Sequence, residues 1–154
     1  MSFISKQLVS WHKLHGRHQL PWQQTKNPYA IWVSEIMLQQ TQVSTVIEYY
    51  KNFMQRFPDI KNLASAEIDD VNEYWSGLGY YSRARNLHAS ARIILQKYNG
   101  IFPKKYEKIL ELPGIGRTTA GAICSFAYGK NYSILDGNVK RVFTRFYGIK
   151  EWPG

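Results

Sequence analysis

Residues 112–122 read Leu-Pro-Gly-Ile-Gly-Arg-Thr-Thr-Ala-Gly-Ala, between the helical run KKYEKILE (104–111) and the apolar run AICSFAYG (122–129). Two familiar glycine motifs do not fit this stretch. A dinucleotide-binding fingerprint needs a third glycine where Thr119 stands and a strand before the first. A phosphate-binding Walker loop needs Gly-Lys-Ser/Thr, and here Arg117 follows Gly116. What remains is helix, tight glycine turn, helix. Pro113 and Gly114 end the first helix, and Gly116 lets the backbone approach a bulky partner with no Cβ in the way. The second helix begins at Arg117, so its free amides and positive dipole end face whatever sits over the hairpin. A phosphate suits that geometry, with the Arg117 guanidinium alongside. An ordinary turn between helices would also use two glycines, so the choice needs a second signal.

Charge supplies it. The 154 residues carry 20 Lys and Arg against 11 Asp and Glu, a net charge of +9 that points to a polyanion, with nucleic acid ahead of an anionic membrane. Apolar residues make up 44% and aromatics 15%, which excludes a disordered chain. The length allows one domain, or one domain plus part of another. Cys124 is the single cysteine. It permits no disulfide framework and no zinc or iron–sulfur site, and it sits in an apolar run as an inert buried thiol. Residues 1–16 are too interrupted by polar side chains for a signal peptide or a membrane span. The expected setting is therefore cytoplasmic and nucleoid-associated, where Asn131-Tyr132-Ser133 is an idle glycosylation match.

Apolar spacing is helical throughout, with no sustained alternation, so the expected fold class is all-α. Helices are predicted for Ser2–His15, from an Asn27-Pro28 cap through Leu38, and from a Thr41 cap to just before Pro58. Further helices are expected near 60–66 and 68–76, over Ser82–Tyr98 closed by Asn99-Gly100, and over Lys104–Glu111, Arg117–Tyr128 and Asp136–Tyr147. The close, Glu151-Trp152-Pro153-Gly154, is a turn signal with nothing after it and reads as a chain cut short.

Two carboxylates have contrasting settings. Glu35 shares a helix face with Ile31 and Leu38, an apolar environment that raises a carboxyl pKa and keeps it protonated near neutrality. Asp136 opens a helix at Asp-Gly-Asn-Val, where amides favour the anion. An exposed helix glutamate and a plain N-cap are the alternatives. Gln39-Gln40-Thr41-Gln42 is unusually polar for a helix end and suits hydrogen bonding to base edges. In Gly77-Leu78-Gly79-Tyr80-Tyr81, core packing is a plausible fate for Tyr81 and less so for Tyr80. The four histidines lack ligand spacing with the cysteine and read as surface or packing residues.

LPGIGRTTAGAI, ILDGNVKRV, LPWQQTKNPYAIWVSEIMLQQTQV, WSGLGYYSRARNLH and GIKEWPG, in their order, resemble the MutY-type adenine DNA glycosylases of the endonuclease III-like, helix-hairpin-helix superfamily. The resemblance runs from about Leu8 to Gly154. It implies a six-helix domain over 21–134, with the hairpin at about 107–127. Residues 1–20 and 135–154 would be an incomplete second helical domain. Glu35 and Asp136 would be catalytic, with Asn138 contacting the aspartate. Trp22 would line an adenine pocket, and Leu38 would lie near the extruded nucleotide. Gln40 would wedge beside the orphaned base, with Gln39 and Thr41 at the same helix end, and Tyr80 would intercalate on the other side. Gly114, Gly116, Arg117 and Thr118 belong to the hairpin that grips DNA. Bifunctional relatives carry a lysine where Thr118 stands, so the implied enzyme is a monofunctional glycosylase. Its implied partner is double-stranded DNA with A:8-oxoguanine or A:G mispairs, bound by a monomer and not by a membrane protein. Full-length relatives hold a [4Fe–4S] cluster through four cysteines that this chain lacks, so no cofactor and no metal are expected in the chain itself. Two other readings stay open: a pyrimidine-lesion glycosylase/lyase, disfavoured by Thr118 and by Gln39–Gln42, and a non-catalytic hairpin module that only grips DNA.

Overall fold

The structure, a computed structural model, describes residues 3–151. Trp152, Pro153 and Gly154 of the GIKEWPG segment and its closing turn lie outside the described residues, as does Ser2. Among the described residues there are nine α-helices, a single 3₁₀ turn at Pro21–Gln23 and no strand. The all-α expectation holds.

α1 spans Phe3–His15 and α2 Pro28–Met37. Asn27 caps α2 as expected: its side chain accepts from the Tyr29 and Ala30 amides, and Pro28 occupies the first turn. α3 (Val43–Arg56) departs from the expected Thr41 cap. Gln42 holds the cap position without a side-chain bond, and the Thr41 hydroxyl donates instead to the Gln39 carbonyl at 3.3 Å. That local bond competes with capping, as short hydroxyl side chains do. α4 (Ile60–Ser65), α5 (Ile68–Trp75) and α6 (Ser82–Tyr98) follow, and α6 ends on left-handed Asn99. α7 covers only Tyr106–Leu110, shorter than its apolar pattern, because Lys105 stays extended. α8 spans Arg117–Tyr128, and α9 Gly137–Tyr147 with Asp136 as its cap.

The core is aromatic. Trp32, Phe53, Phe57 and Trp75 are fully buried, with Phe53 edge-on to Trp75 at 6.0 Å and tilted against Phe57 at 4.9 Å. Each such ring contributes roughly 2–3 kcal/mol by burial. α2 runs through this core and packs against α8, while α6 packs on α4 and α5. Every buried apolar residue among those described lies between Trp22 and Cys124, and neither α1 nor α9 buries a residue. Cys124 is a buried free thiol, as its apolar run implied. His88 is also buried and pairs with the Ala66 carbonyl at 2.9 Å, a packing role. Tyr81 is no core residue: like Tyr80 it is exposed, because the turn before α6 lifts both rings off the body.

The hairpin is pinned from below. Leu112 and Ile115 are buried, and Ser90 of α6 donates to the Pro113 carbonyl at 2.9 Å. Gly114 has φ +78°, and a Cβ there would stand 2.8 Å from the Asn86 Cβ; at Gly116 a Cβ would meet nothing within 4 Å. The two glycines therefore answer to different partners. Gly114→Ala should cost about 2 kcal/mol in urea denaturation. Gly116→Ala should stay within about 0.5 kcal/mol of the parent. Equal losses at both positions would contradict this division.

Candidate functional site

α2 is buried at every position from Tyr29 to Met37 except Glu35, which is half-buried. Burial pushes its carboxyl up to about 7, with the Asp136 carboxylate adding to the rise. Asp136 is held from the other side: one oxygen accepts from the Val139 amide at 2.8 Å, closing the first turn of α9. The chain reaches it through an extended stretch alongside α8, where Tyr132 stacks on Tyr106 with ring centroids 4.7 Å apart.

A cleft of about 750 Å³ opens between the end of α2, the start of α8 and the start of α9. Glu35, Leu38, Gln39, Gln40 and Thr41 line its first wall, Thr118 and Thr119 its second, and Asp136 and Asn138 its third. Gln39 bridges the first two walls through a 3.4 Å bond from Nε2 to the Thr119 hydroxyl. Trp22 lies elsewhere, in a separate pocket of about 280 Å³ with Ser34, Lys26 and Phe126, its ring edge-on to Tyr50 at 5.4 Å. Glu35 lines both cavities and is the residue they share. Of the expected site residues, Leu38, Gln39, Gln40, Thr41, Thr118, Asp136 and Asn138 share a cavity with Glu35, and Trp22 shares the other; Tyr80, Gly114, Gly116 and Arg117 line neither.

The hairpin edges the cleft. Thr118 faces into it, Arg117 is exposed, and α8 starts at Gly116 without a side-chain cap, so its first amides are available to an anion. Tyr80 lies outside the cleft lining, 64% exposed on the loop before α6. Gln40 and Tyr80 share an unusual backbone, with φ of +57° and +49°. Such left-handed residues cost about 1 kcal/mol each and persist only where the surroundings hold them. The sequence reading passed over the residue that touches both loops, Arg83, whose buried guanidinium lies over Trp75 and Tyr80. Its signal was a cation in the first turn of a helix, against the dipole, which only a tertiary partner explains.

Among the described residues no group of three or more His, Cys, Asp or Glu side chains could hold a metal ion, and Cys124 is buried. An iron–sulfur ligand set does not fit them. No helix among them is long and apolar enough to cross a membrane.

Glu35 ties stability to pH. Its folded value of about 7 lies above the ordinary 4.5, so the folded state holds the proton more tightly than the unfolded state. Stability is then full below about pH 4.5 and falls as pH rises to about 7, by roughly 3 kcal/mol. Glu35→Gln should raise the melting temperature at pH 8 and change it little at pH 5. A difference independent of pH would refute the assignment.

Comparison with known proteins agrees with this geometry. Residues 33–154 match the family model described as HhH-GPD superfamily base excision DNA repair protein. The chain is 56% identical over 142 residues to an adenine DNA glycosylase of Buchnera aphidicola subsp. Baizongia pistaciae, covering 92% of this chain and 40% of that protein. It is 46% identical over 155 residues to the adenine DNA glycosylase of Homo sapiens, covering 95% of this chain and 28% of that one. The chain thus spans about two fifths or less of these curated relatives. A thermostable thymine-DNA glycosylase superposes with a TM-score of 0.86 at 30% identity, over 95% of this chain and 67% of that one. A non-covalent endonuclease III–DNA complex shares the fold, with a TM-score of 0.81 at 23% identity, over 97% and 69% of the two chains. The half-buried carboxyl of Glu35 and the helix-capping Asp136, which share one cleft beside the glycine hairpin, thus stand in a chain that belongs to the HhH-GPD superfamily of base excision DNA repair proteins.

Proposed function

We propose that the chain is the base-excising part of an adenine DNA glycosylase, hydrolysing the N-glycosidic bond of adenine mispaired with 8-oxoguanine or guanine. The observation that carries the reading is Glu35, a proton donor held near neutrality by burial and facing Asp136 across one cleft. A base within the duplex is out of reach, so the adenosine is flipped out, with Gln40 and Tyr80 filling the stack it leaves. Glu35 gives its proton to adenine N7. The C1′–N9 bond then breaks with its electron pair leaving on the base, and the sugar becomes an oxocarbenium-like cation. Asp136 stabilises that cation, and water adds at C1′ and gives its proton to the Glu35 carboxylate, leaving an abasic site, free adenine and the restored acid. This is the two-carboxylate logic of glycoside hydrolysis applied to a C–N bond. Trp22 lines the pocket on the far side of Glu35 and receives the base, while Asn138 orients the aspartate. Arg117 and the amides beside Gly116 hold the backbone.

We further read 21–134 as the six-helix domain and 1–20 with 135–154 as part of a second helical domain. The support is a core confined to Trp22–Cys124, with no buried residue in α1 or α9. The resemblance implies a [4Fe–4S] cluster on that second domain in longer relatives, and no step above passes through it. The working form is a monomer in the cytoplasm, associated with the nucleoid. One observation favours a second reading, a module that grips DNA without excision: α9, which carries Asp136, buries none of its residues.

Release of free adenine from an A:8-oxoguanine duplex in single turnover decides between them. The excision rate should fall about tenfold per pH unit above about pH 7, as Glu35 loses its proton. Glu35→Gln should lower it by roughly 10²–10⁴-fold with duplex binding retained. Binding with no adenine release would leave only the second reading.

Thr118 separates this activity from a lyase. The product should keep an intact abasic site, cut only after added alkali. Thr118→Lys would bring an amine to the cleft wall opposite Asp136, where the positive end of α8 favours its neutral, nucleophilic form. Borohydride-trapped complexes should then appear with an excision-competent variant. Strand cleavage by the unaltered chain would overturn the monofunctional assignment.

A further inference from the structure

Arg83 is the second residue of α6 and only 8% exposed. Its Nη1 lies 3.1, 2.9 and 2.6 Å from the carbonyls of Ile36, Met37 and Gln39. Its Nη2 donates to Leu78 and Gly79, each at 3.1 Å. Five backbone carbonyls from two separate segments thus converge on one guanidinium. No carboxylate among the described residues forms an ion pair with it. The charge faces carbonyl oxygens instead, three of them at the negative end of α2. An ammonium could not do this, because only the planar fork sends donors in two fixed directions at once.

The two segments are those that carry the exposed side chains Gln40 and Tyr80. Arg83 bonds Gln39 and Gly79, whose carbonyls belong to the peptide planes that enter Gln40 and Tyr80. Those two residues, with the α6 cap Asn99, are the non-glycine positions of positive φ among the described residues. Holding a carbonyl fixes the plane of its peptide, so one side chain sets the entry to both left-handed residues. The guanidinium carbon also lies 5.6 Å from the centroid of the Tyr80 ring and 5.3 Å from that of Trp75, whose indole N–H donates to the same Gly79 carbonyl at 3.2 Å.

We propose that Arg83 is a positioning residue that locks the end of α2 to the loop before α6, so that Gln40 and Tyr80 meet DNA as one preset pair. The proposal rests on reading those two side chains as the ones that enter the base stack. Preorganisation of this kind spares the ordering of two loops at the moment of binding. It acts on damaged or mispaired sites and leaves the backbone grip of the hairpin alone.

Native-state hydrogen exchange tests the lock in the protein alone. The amides of Thr41 and Leu78 bond within their own turns, to Leu38 and Trp75. In the unaltered chain they should open with one shared free energy and one denaturant slope. Arg83→Lys, which keeps the charge and loses the fork, should raise exchange by about tenfold at one or both amides and abolish the shared slope. Independent opening in the unaltered chain overturns the proposal without any variant having to fold. Unchanged exchange in Arg83→Lys overturns it too.

Binding to a duplex carrying a tetrahydrofuran abasic analogue, against an intact duplex, tests the consequence. Arg83→Lys should lose roughly tenfold of the preference for the analogue, as should the Gln40→Ala/Tyr80→Ala double variant. Intact-duplex affinity should hold within about twofold. If the double variant keeps the preference, the stack-insertion reading fails, and the DNA role proposed for Arg83 falls with it. If the double variant loses it and Arg83→Lys does not, Arg83 alone has been misassigned.

Discussion

A helix packed on every side has almost nowhere to put a charge. From Tyr29 to Met37 the chain of α2 is buried at each position but Glu35, and that carboxyl is half-buried. Desolvation disfavours its anion, and the nearby Asp136 disfavours it further, so the proton stays to about pH 7. The chemistry proposed for the cleft depends on this single constraint. An amphipathic surface helix would leave the same glutamate hydrated and ionised. The rest of α2 is held in an aromatic core: Trp32 is fully buried, packs on Phe102, and lies edge-on to Tyr29.

The second carboxylate has a different role in the backbone. Asp136 accepts the Val139 amide at a helix start, a position that suits an anion. Two acidic side chains in one cleft can divide acid and anion roles only when their surroundings differ, and here the difference is built from backbone. α2 supplies burial, and α9 supplies an amide donor. α8 lies between them and contributes Thr118 and Thr119 to the cleft wall. Because α2 and α8 pack directly on each other, the hairpin at the head of α8 has a set position relative to Glu35. Under the proposed function, a phosphate gripped at Gly116 would also locate the nucleotide against the acid.

Rigidity in the surrounding loops has a comparable source. Three of the turns near the cleft use left-handed backbone: at Gly114, where φ is +78°, at Gln40 and at Tyr80. The first is tied by Ser90 to α6, and the other two by Arg83, also on α6. α6 thus serves as a spine: it packs on α4 and α5, and Arg83 in its first turn and Ser90 at its middle hold the loops. Such ties explain how a surface built largely from turns can be presented in one arrangement.

Helical periodicity, the Asn27-Pro28 cap, the Asn99 stop, the hairpin and the contrast between Glu35 and Asp136 were legible in the sequence. Each rests on local chemistry that a short stretch carries with it. The Thr41 cap, the length of α7 and the fate of Tyr81 were misread for the converse reason. Capping and exposure there depend on competing bonds and on turns whose direction is set by distant packing. Arg83 lay outside sequence reasoning altogether. Its five carbonyl partners lie up to 47 residues away, and no motif spacing encodes them. That Trp22 and Asp136 each share a cavity with Glu35 was likewise decided only by tertiary packing. The sequence by itself determined which residues could carry a proton, cap a helix or free a turn, because those are properties of side chains and their neighbours. The tertiary structure decided which of them share a cleft, because desolvation and convergence arise only when separate helices bury a common surface.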